Sequence, residues 1–264
     1  VTSRSRSGQL KNITYIVGDA KDDTFLQQLL NQRWDSIVDF MVYSTSQFQK
    51  RCELFLNATE HYFFISSSRV YADSNTQLTE NSPRLLDIIE DEQYLATDEY
   101  ALTKARQENL LFKNDKKNWT IIRPYITYNA ERMQLGVLEK ECWLYRAVYG
   151  RSIVTAKDIQ TKQTTLTSGK DVANAMAALI GNKKAQGEAF HITVDESLTW
   201  HEVANIYQGV LNKHGITTRL LEQELKDFLK WRNGTYQTIY DRLYNRTFDN
   251  SKIKQFIDTS SFTT

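Results

Sequence analysis

The chain predicts an α/β fold: a doubly wound parallel sheet with helices on both faces, followed by a smaller C-terminal α/β lobe. Three observations lead there. Short apolar runs rich in β-branched and aromatic residues, at 12–17, 35–43, 62–65 and 119–122, alternate with longer stretches of helical spacing. That alternation is the pattern of strands joined by crossover helices. The 264 residues suffice for one large domain or a domain with a smaller lobe. The pattern also changes near Glu131, so 1–130 form the sheet domain and 131–264 mainly the lobe, with some segments returning to the sheet domain.

The elements follow in order. Asn12-Ile13-Thr14-Tyr15-Ile16-Val17 is a strand, and Gly18-Asp19-Ala20 follows it. Asp19 suits the N-cap of a helix over 23–31, since aspartate there accepts from the first free amides. The strand 35–43 carries Phe40 and Met41 near its end, residue types at home in a core. A helix follows over 47–59, with Phe48, Cys52, Phe55 and Leu56 on one face. Tyr62-Phe63-Phe64-Ile65 is a buried strand running directly into Ser66-Ser67-Ser68-Arg69-Val70-Tyr71. Hydroxyls at the C-terminal end of a parallel strand lie where open α/β sheets bind ligands. The loop 73–98 is polar, and its acidic run 87–92 reads as a short solvated helix. A helix over 100–114 and a strand over 119–122 complete the sheet domain, the strand ending in Arg123-Pro124-Tyr125-Ile126-Thr127-Tyr128. In the lobe, helices are expected over 138–149, 168–180 and 199–214, the last capped by Thr199, with short strands at 153–154, 164–167 and 189–193.

Tyr100 and Lys104 are the first candidates for chemistry. They stand four residues apart among good helix formers, which puts them on one helical face. An ammonium beside a phenol favours the phenolate and lowers its pKa from about 10. Such a phenol can exchange a proton in an acid–base step. The same spacing also occurs on purely solvated helix faces.

Composition narrows the classes. Lysine and arginine number 33 against 32 acids, a net charge of +1. A dedicated nucleic-acid binder shows a basic excess instead. No apolar run approaches the ~20 residues of a membrane span. Cys52 and Cys142 are far apart, and four histidines form no ligand motif, so no metal site is expected. A cytoplasmic protein with reduced thiols is the expectation.

The serine-ended strand, then Thr79-Glu80-Asn81-Ser82-Pro83, then Tyr-x-x-x-Lys on a helix, form an ordered set. It resembles the extended short-chain dehydrogenase/reductase family, in particular its NAD(P)-dependent nucleotide-sugar epimerases and dehydratases. Their strand ends Ser-Ser/Thr-x-x-Val-Tyr-Gly; counting back four from Tyr71 gives Ser67 as the catalytic hydroxyl, and Ala72 replaces the glycine.

The resemblance implies a Rossmann-type dinucleotide-binding domain over 1–130. Nothing here reads Gly-x-x-Gly-x-x-Gly, so one βα unit of ~30 residues is expected to be missing at the N-terminus. In the family strand order 3-2-1-4-5-6 its strand lies between the second and the fourth. The cofactor is NADP or NAD. An acid after the second strand selects NAD, whereas this chain has Ser3-Arg4-Ser5-Arg6, which leans to NADP.

By the same resemblance, Arg4, Asp19, Ala20, Phe40, Met41, Ser66, Pro124 and Tyr125 touch the cofactor, together with Tyr100 and Lys104. Ser67, Ser68 and Ile126 face the substrate; Ile126 stands where many members have asparagine. Arg242, first among Arg232, Arg242 and Arg246, clamps the nucleotide diphosphate, since arginine matches phosphate geometry. Tyr100 takes a sugar hydroxyl proton while hydride passes to nicotinamide. Lys104 binds the nicotinamide ribose and lowers the Tyr100 pKa, and Ser67 holds the reacting oxygen. Ser68-Arg69 replaces the acidic pair of a dehydratase, favouring an epimerase or reductase. The implied partner is a nucleotide sugar, with no nucleic acid and no membrane; a homodimer is compatible. The alternative is a non-catalytic member of the family, regulatory or RNA-associated. Retention of tyrosine, lysine and serine favours the enzyme.

Overall fold

The computed structural model describes residues 1–263. They form two compact units. The first comprises Val1–Ile65, Arg106–Ile121 and Ile180–Ala189; the second comprises Ser66–Ala105, Ile122–Leu179 and the chain from Phe190 onward. No helix among the described residues is long and apolar enough to cross a membrane.

The chain opens with β1 (Thr2–Ser3), β2 (Gly8–Leu10) and β3 (Ile13–Val17). β3 pairs in parallel with β1 and antiparallel with β2. The hairpin was not expected, because 1–8 has no alternating pattern. It turns at Lys11, whose φ of 54° is the left-handed value a tight reversal needs. Next come α1 (Asp23–Leu30), β4 (Trp34–Asp39), α2 (Thr45–Ala58) and β5 (Thr59–Ile65). Asp22 caps α1, accepting from the Phe25 amide at 2.7 Å, while Asp19 accepts from Lys21 at 2.9 Å. The capping role expected of Asp19 therefore falls three residues later. Ser44 and Gln47 form a capping box at α2.

Two four-residue helices follow, α3 (Leu85–Ile88) and α4 (Glu92–Leu95). The acidic run expected as one helix thus straddles two. Asp91, near its end, caps α4 through the Tyr94 amide. Then come α5 (Tyr100–Phe112), β6 (Trp119–Pro124) and β7 (Ile126–Tyr128). The lobe helices lie at Lys140–Val148, Gly169–Leu179 and Trp200–Lys213, close to expectation.

The main sheet has four strands in the order Glu188–Ile192, β6, β5, β4, with β4 and β5 parallel. β1, β3 and β2 form a sheet of their own. The break falls between β1 and β4, where the expected order puts a strand. Both are edge strands, and an apolar groove of about 480 Å³ between them is lined by Thr2, Ile16, Ile37, Val38 and Phe40 among others. The core of the first unit packs Leu26, Phe48, Phe55, Tyr62, Phe64 and Trp119. That of the second centres on Tyr71, Tyr125, Trp143, Trp200 and Phe248.

Each unit buries one neutral histidine. In the first, the Gly181 amide donates to His61 Nδ1 at 3.3 Å, so the proton sits on Nε2 and points at Thr120 Oγ1, 2.7 Å away. In the second, Tyr71 Oη lies 3.2 Å from His191 Nδ1, and Nε2 donates to the Asp249 carbonyl at 2.9 Å. Burial lowers both pKa values from 6.5 to about 4. Between those values the unfolded chain binds protons that the folded chain refuses, so stability falls as pH falls from 6.5 to 4. By pH 4 each ring should cost about 3 kcal/mol. Urea unfolding should show this loss, and His191→Gln, which cannot protonate, should remove part of it; a midpoint unchanged from pH 7 to 4.5 would refute the assignment.

Candidate functional site

The second unit gathers a reactive set at the end of β5 and the start of α5. Tyr100 is the first residue of α5 and remains 38% exposed. The Ser67 side chain acts on its phenol, favouring the phenolate. Ser67 is 6% exposed, and its Oγ also accepts from the Arg69 amide at 3.2 Å, which opens the short turn Ser68–Val70. Lys104, one turn along α5 and buried, places Nζ 5.9 Å from the Tyr100 ring centroid. The helical spacing thus brings phenol and ammonium to one face, and the strand end supplies the serine.

A second cation lies closer. The Arg69 guanidinium sits 5.4 Å from the Tyr100 ring centroid. It is ion-paired with Glu99, the residue before Tyr100, and its Nε is 3.8 Å from Asp241 Oδ2. Glu99 also accepts from the Tyr94 hydroxyl at 3.2 Å and the Ala101 amide at 2.7 Å, so it fixes the helix start and Arg69 together. The sequence marked Arg69 only as a substitution for an acid; that it follows Ser67 by two and faces the residue before Tyr100 was the available signal.

The phenol itself departs from expectation. Lys104 was expected to lower its pKa, but the net displacement is upward. Desolvation by the surrounding protein is the largest cause, and the opposing effects come from Arg69, the Ser67 hydroxyl and Arg132. Tyr100 is therefore a neutral phenol at pH 7.

The other predicted residues divide. Ser68 is fully buried and donates to the Arg123 carbonyl at 2.7 Å, tying the strand end to β6 rather than facing a ligand. Ile126 is 3% exposed and packs in the apolar core. Tyr125 is 8% exposed, its hydroxyl 3.4 Å from Asp241 Oδ2 and accepting from Arg242 at 3.3 Å. Ser66 is buried, its amide donating to the Ile122 carbonyl, and Pro124 is half-buried at the end of β6.

Arg242, expected to clamp a diphosphate, is 2% exposed. Its guanidinium bonds Asp241, the Gly136 carbonyl at 2.9 Å and Gln134 Oε1 at 3.2 Å. Arg246 is 1% exposed and donates to Asp241 Oδ1 at 2.9 Å and to the Tyr71 and Ala72 carbonyls. Arg232 donates to the Val137 carbonyl at 2.8 Å. These arginines hold the lobe together from inside. Arg132, which the sequence did not single out, is half exposed and acts on the Tyr100 phenol.

In the first unit, Ser3, Arg4, Gly18, Asp19, Ala20 and Met41 line a separate polar pocket of about 340 Å³. Four of the predicted cofactor contacts thus share one cavity. Its chemistry suits a nucleoside: a cation, a carboxylate and a glycine-lined wall. A Cβ at Gly18 would meet the Phe25 ring at 2.2 Å, so a larger residue there requires that ring to move. Arg6 is turned away, its guanidinium over Tyr15 and donating to that hydroxyl at 3.2 Å. Phe40, expected in the core, is 69% exposed and lines the apolar groove between β1 and β4.

Comparison with known proteins gives the family and the fold. A NAD-binding family model described as Male sterility protein matches residues 29–176. The chloroplast stem-loop binding protein of 41 kDa b from Arabidopsis thaliana is 29% identical over 195 residues, 73% of this chain and 47% of that protein. The chain thus spans about half the length of this curated relative. Epimerase Mth375 from Methanothermobacter thermautotrophicus superposes with a TM-score of 0.72 at 16% identity, covering 98% of this chain and 78% of that one. MoeE5 in complex with UDP-glucuronic acid and NAD gives 0.66 at 15% identity, covering 97% and 82%.

Proposed function

The chain belongs to the NAD-binding Male sterility protein family, within the extended short-chain dehydrogenases/reductases, and from that membership we propose that it is an NAD(P)-dependent epimerase or reductase of a nucleotide-activated sugar. The convergence of Ser67, Tyr100 and Lys104 at the end of β5 and the start of α5, with Lys104 on the same helical face as Tyr100, carries this reading. Two hydroxyls so placed can receive one sugar hydroxyl between them. Tyr100 then exchanges its proton, and Ser67 steadies the oxygen as a ketone forms and is reduced again. When bound, the nicotinamide would accept the hydride of the ring carbon and return it.

In the first unit, Arg4, Asp19, Ala20 and Met41 would hold the adenosine end of the dinucleotide. Arg69 stands where a dehydratase carries an acid, and a guanidinium paired to Glu99 is a poor proton donor for expelling water. Epimerase or reductase chemistry is therefore favoured over dehydration.

The protein as purified should carry bound dinucleotide by native mass spectrometry and interconvert UDP- or dTDP-sugars followed by proton NMR. Absence of both would remove the enzyme reading in favour of a binding protein, the reading that similarity to a stem-loop binding protein supports.

Arg4 motivates a cofactor preference. A fluorescence titration should give tighter binding of NADPH than NADH, and Arg4→Ala should remove most of the difference. Arg6→Ala should change it little, since Arg6 is spent on Tyr15. Equal affinities in the wild type would dispose of the preference.

A further inference from the structure

An ion pair abuts Tyr100. The Arg69 guanidinium lies 5.4 Å from the Tyr100 ring centroid, nearer than the Lys104 ammonium at 5.9 Å. Its countercharge is Glu99, the residue before Tyr100. Asp241 Oδ2 stands 3.8 Å from Arg69 Nε but is already engaged with Arg242 and Arg246, and that Nε has no hydrogen-bond partner. The bond to Glu99 is therefore what holds the guanidinium. The two side chains are 15% and 14% exposed, so this is not the solvent-screened kind of pair that contributes little. Glu99 also builds the helix start, since α5 has no acid within its first turn. Its Oε2 accepts from the Ala101 amide at 2.7 Å and from the Tyr94 hydroxyl at 3.2 Å. Its carbonyl accepts from the Thr103 amide at 2.9 Å, and its own amide donates to Thr97 Oγ1 at 3.2 Å. Glu99 is thus fixed at side chain and backbone, and Arg69 takes its position from it.

The two charges act on the phenol with opposite signs. The guanidinium near the ring favours the phenolate, and the carboxylate beside it opposes the phenolate. Because they are bonded to each other, removing one leaves the other uncompensated next to Tyr100. The other groups that bear on the phenol are Ser67 at the end of β5, Lys104 on α5 and Arg132 beyond β7. Variants of the pair leave all three in place. Resting on Tyr100 as the proton-transfer group of the reading above, we propose that Arg69 and Glu99 are positioning residues for it: one ion pair that fixes the first turn of α5 and sets, by the balance of its two charges, how readily the phenol parts with its proton.

The test is an NMR titration of the protein labelled with carbon-13 at tyrosine Cζ, with no cofactor or substrate added. The Tyr100 signal is identified by its absence from Tyr100→Phe. Arg69→Gln should make the phenolate about tenfold harder to form, seen as a midpoint moved to higher pH. Glu99→Gln should make it about tenfold easier, with the midpoint moved to lower pH. The double variant should return close to the wild type, and Arg69→Lys, which keeps the charge, should shift the midpoint less than Arg69→Gln. A pair that only braces the fold would lower Tm in both single variants without opposed shifts, and that result overturns the proposal. So do midpoints that move together or not at all. Where Arg69→Gln folds poorly, Glu99→Gln decides: a midpoint that stays or rises counts against the pair. The titration uses no sugar and no dinucleotide, so its failure is distinct from failure of the nucleotide-sugar reading, which bound dinucleotide and turnover decide.

Discussion

Tyr100→Phe should lower kcat by about three orders of magnitude with KM and dinucleotide affinity nearly unchanged. The substitution deletes one oxygen, and that oxygen is the proton-transfer group; general acid–base catalysis contributes about 10²–10⁴-fold. The ring survives, so the contacts of Arg69 and Lys104 with its face survive with it. A loss in kcat without a loss in KM marks an interaction made only in the transition state. The pH profile gives a second readout. The phenol pKa is raised, so the phenolate fraction grows as pH rises above neutrality, and wild-type oxidation of the sugar should accelerate with it. The variant's residual rate should be flat over that range. Wild-type turnover in Tyr100→Phe, or an unchanged alkaline rise, would take Tyr100 out of the reaction.

Asp241→Ala should cost about 3–5 kcal/mol and lower Tm by roughly 10 °C. Asp241 is 1% exposed and bonds Arg242 and Arg246, both buried, with Arg69 nearby. Its removal leaves guanidiniums in a low-dielectric interior with no countercharge, and burial already lowers the pKa of Arg242 and Arg246. Breaking one side of a buried pair is costly, whereas replacing both sides by apolar groups is often tolerated. The double variant Asp241→Leu with Arg242→Met should therefore recover part of the loss. Differential scanning calorimetry decides the matter: a single-variant shift under about 2 °C would mean the cluster contributes little.

Much of this was legible because it depends on local spacing. The alternation of apolar runs and helical stretches located β4, β5, β6 and α5. Spacing of four put Lys104 beside Tyr100, and direct continuation from β5 put Ser67 within reach. Burial was not legible, and most corrections trace to it. Arg242, Arg246 and Ser68 look like surface chemistry in sequence, yet each is spent on internal carbonyls or carboxylates. The sign of the Tyr100 displacement reversed for the same reason, since desolvation has no sequence signature. Asp19 and Asp22 compete for one cap, and backbone geometry alone decides between them. Arg69 and Glu99 stand 30 residues apart, a pairing that only the fold can make.

The two edge strands of the first unit have a consequence for what can occupy the groove between them. β1 and β4 each present a row of backbone donors and acceptors to one groove, and β4 carries neither lysine nor proline to blunt its edge. Such an edge pairs with any extended apolar segment that meets it, including the same strand of another copy. A strand that fills this groove, from elsewhere in the same protein or from another copy, would therefore satisfy Trp34–Asp39 by backbone pairing alone, whatever its side chains.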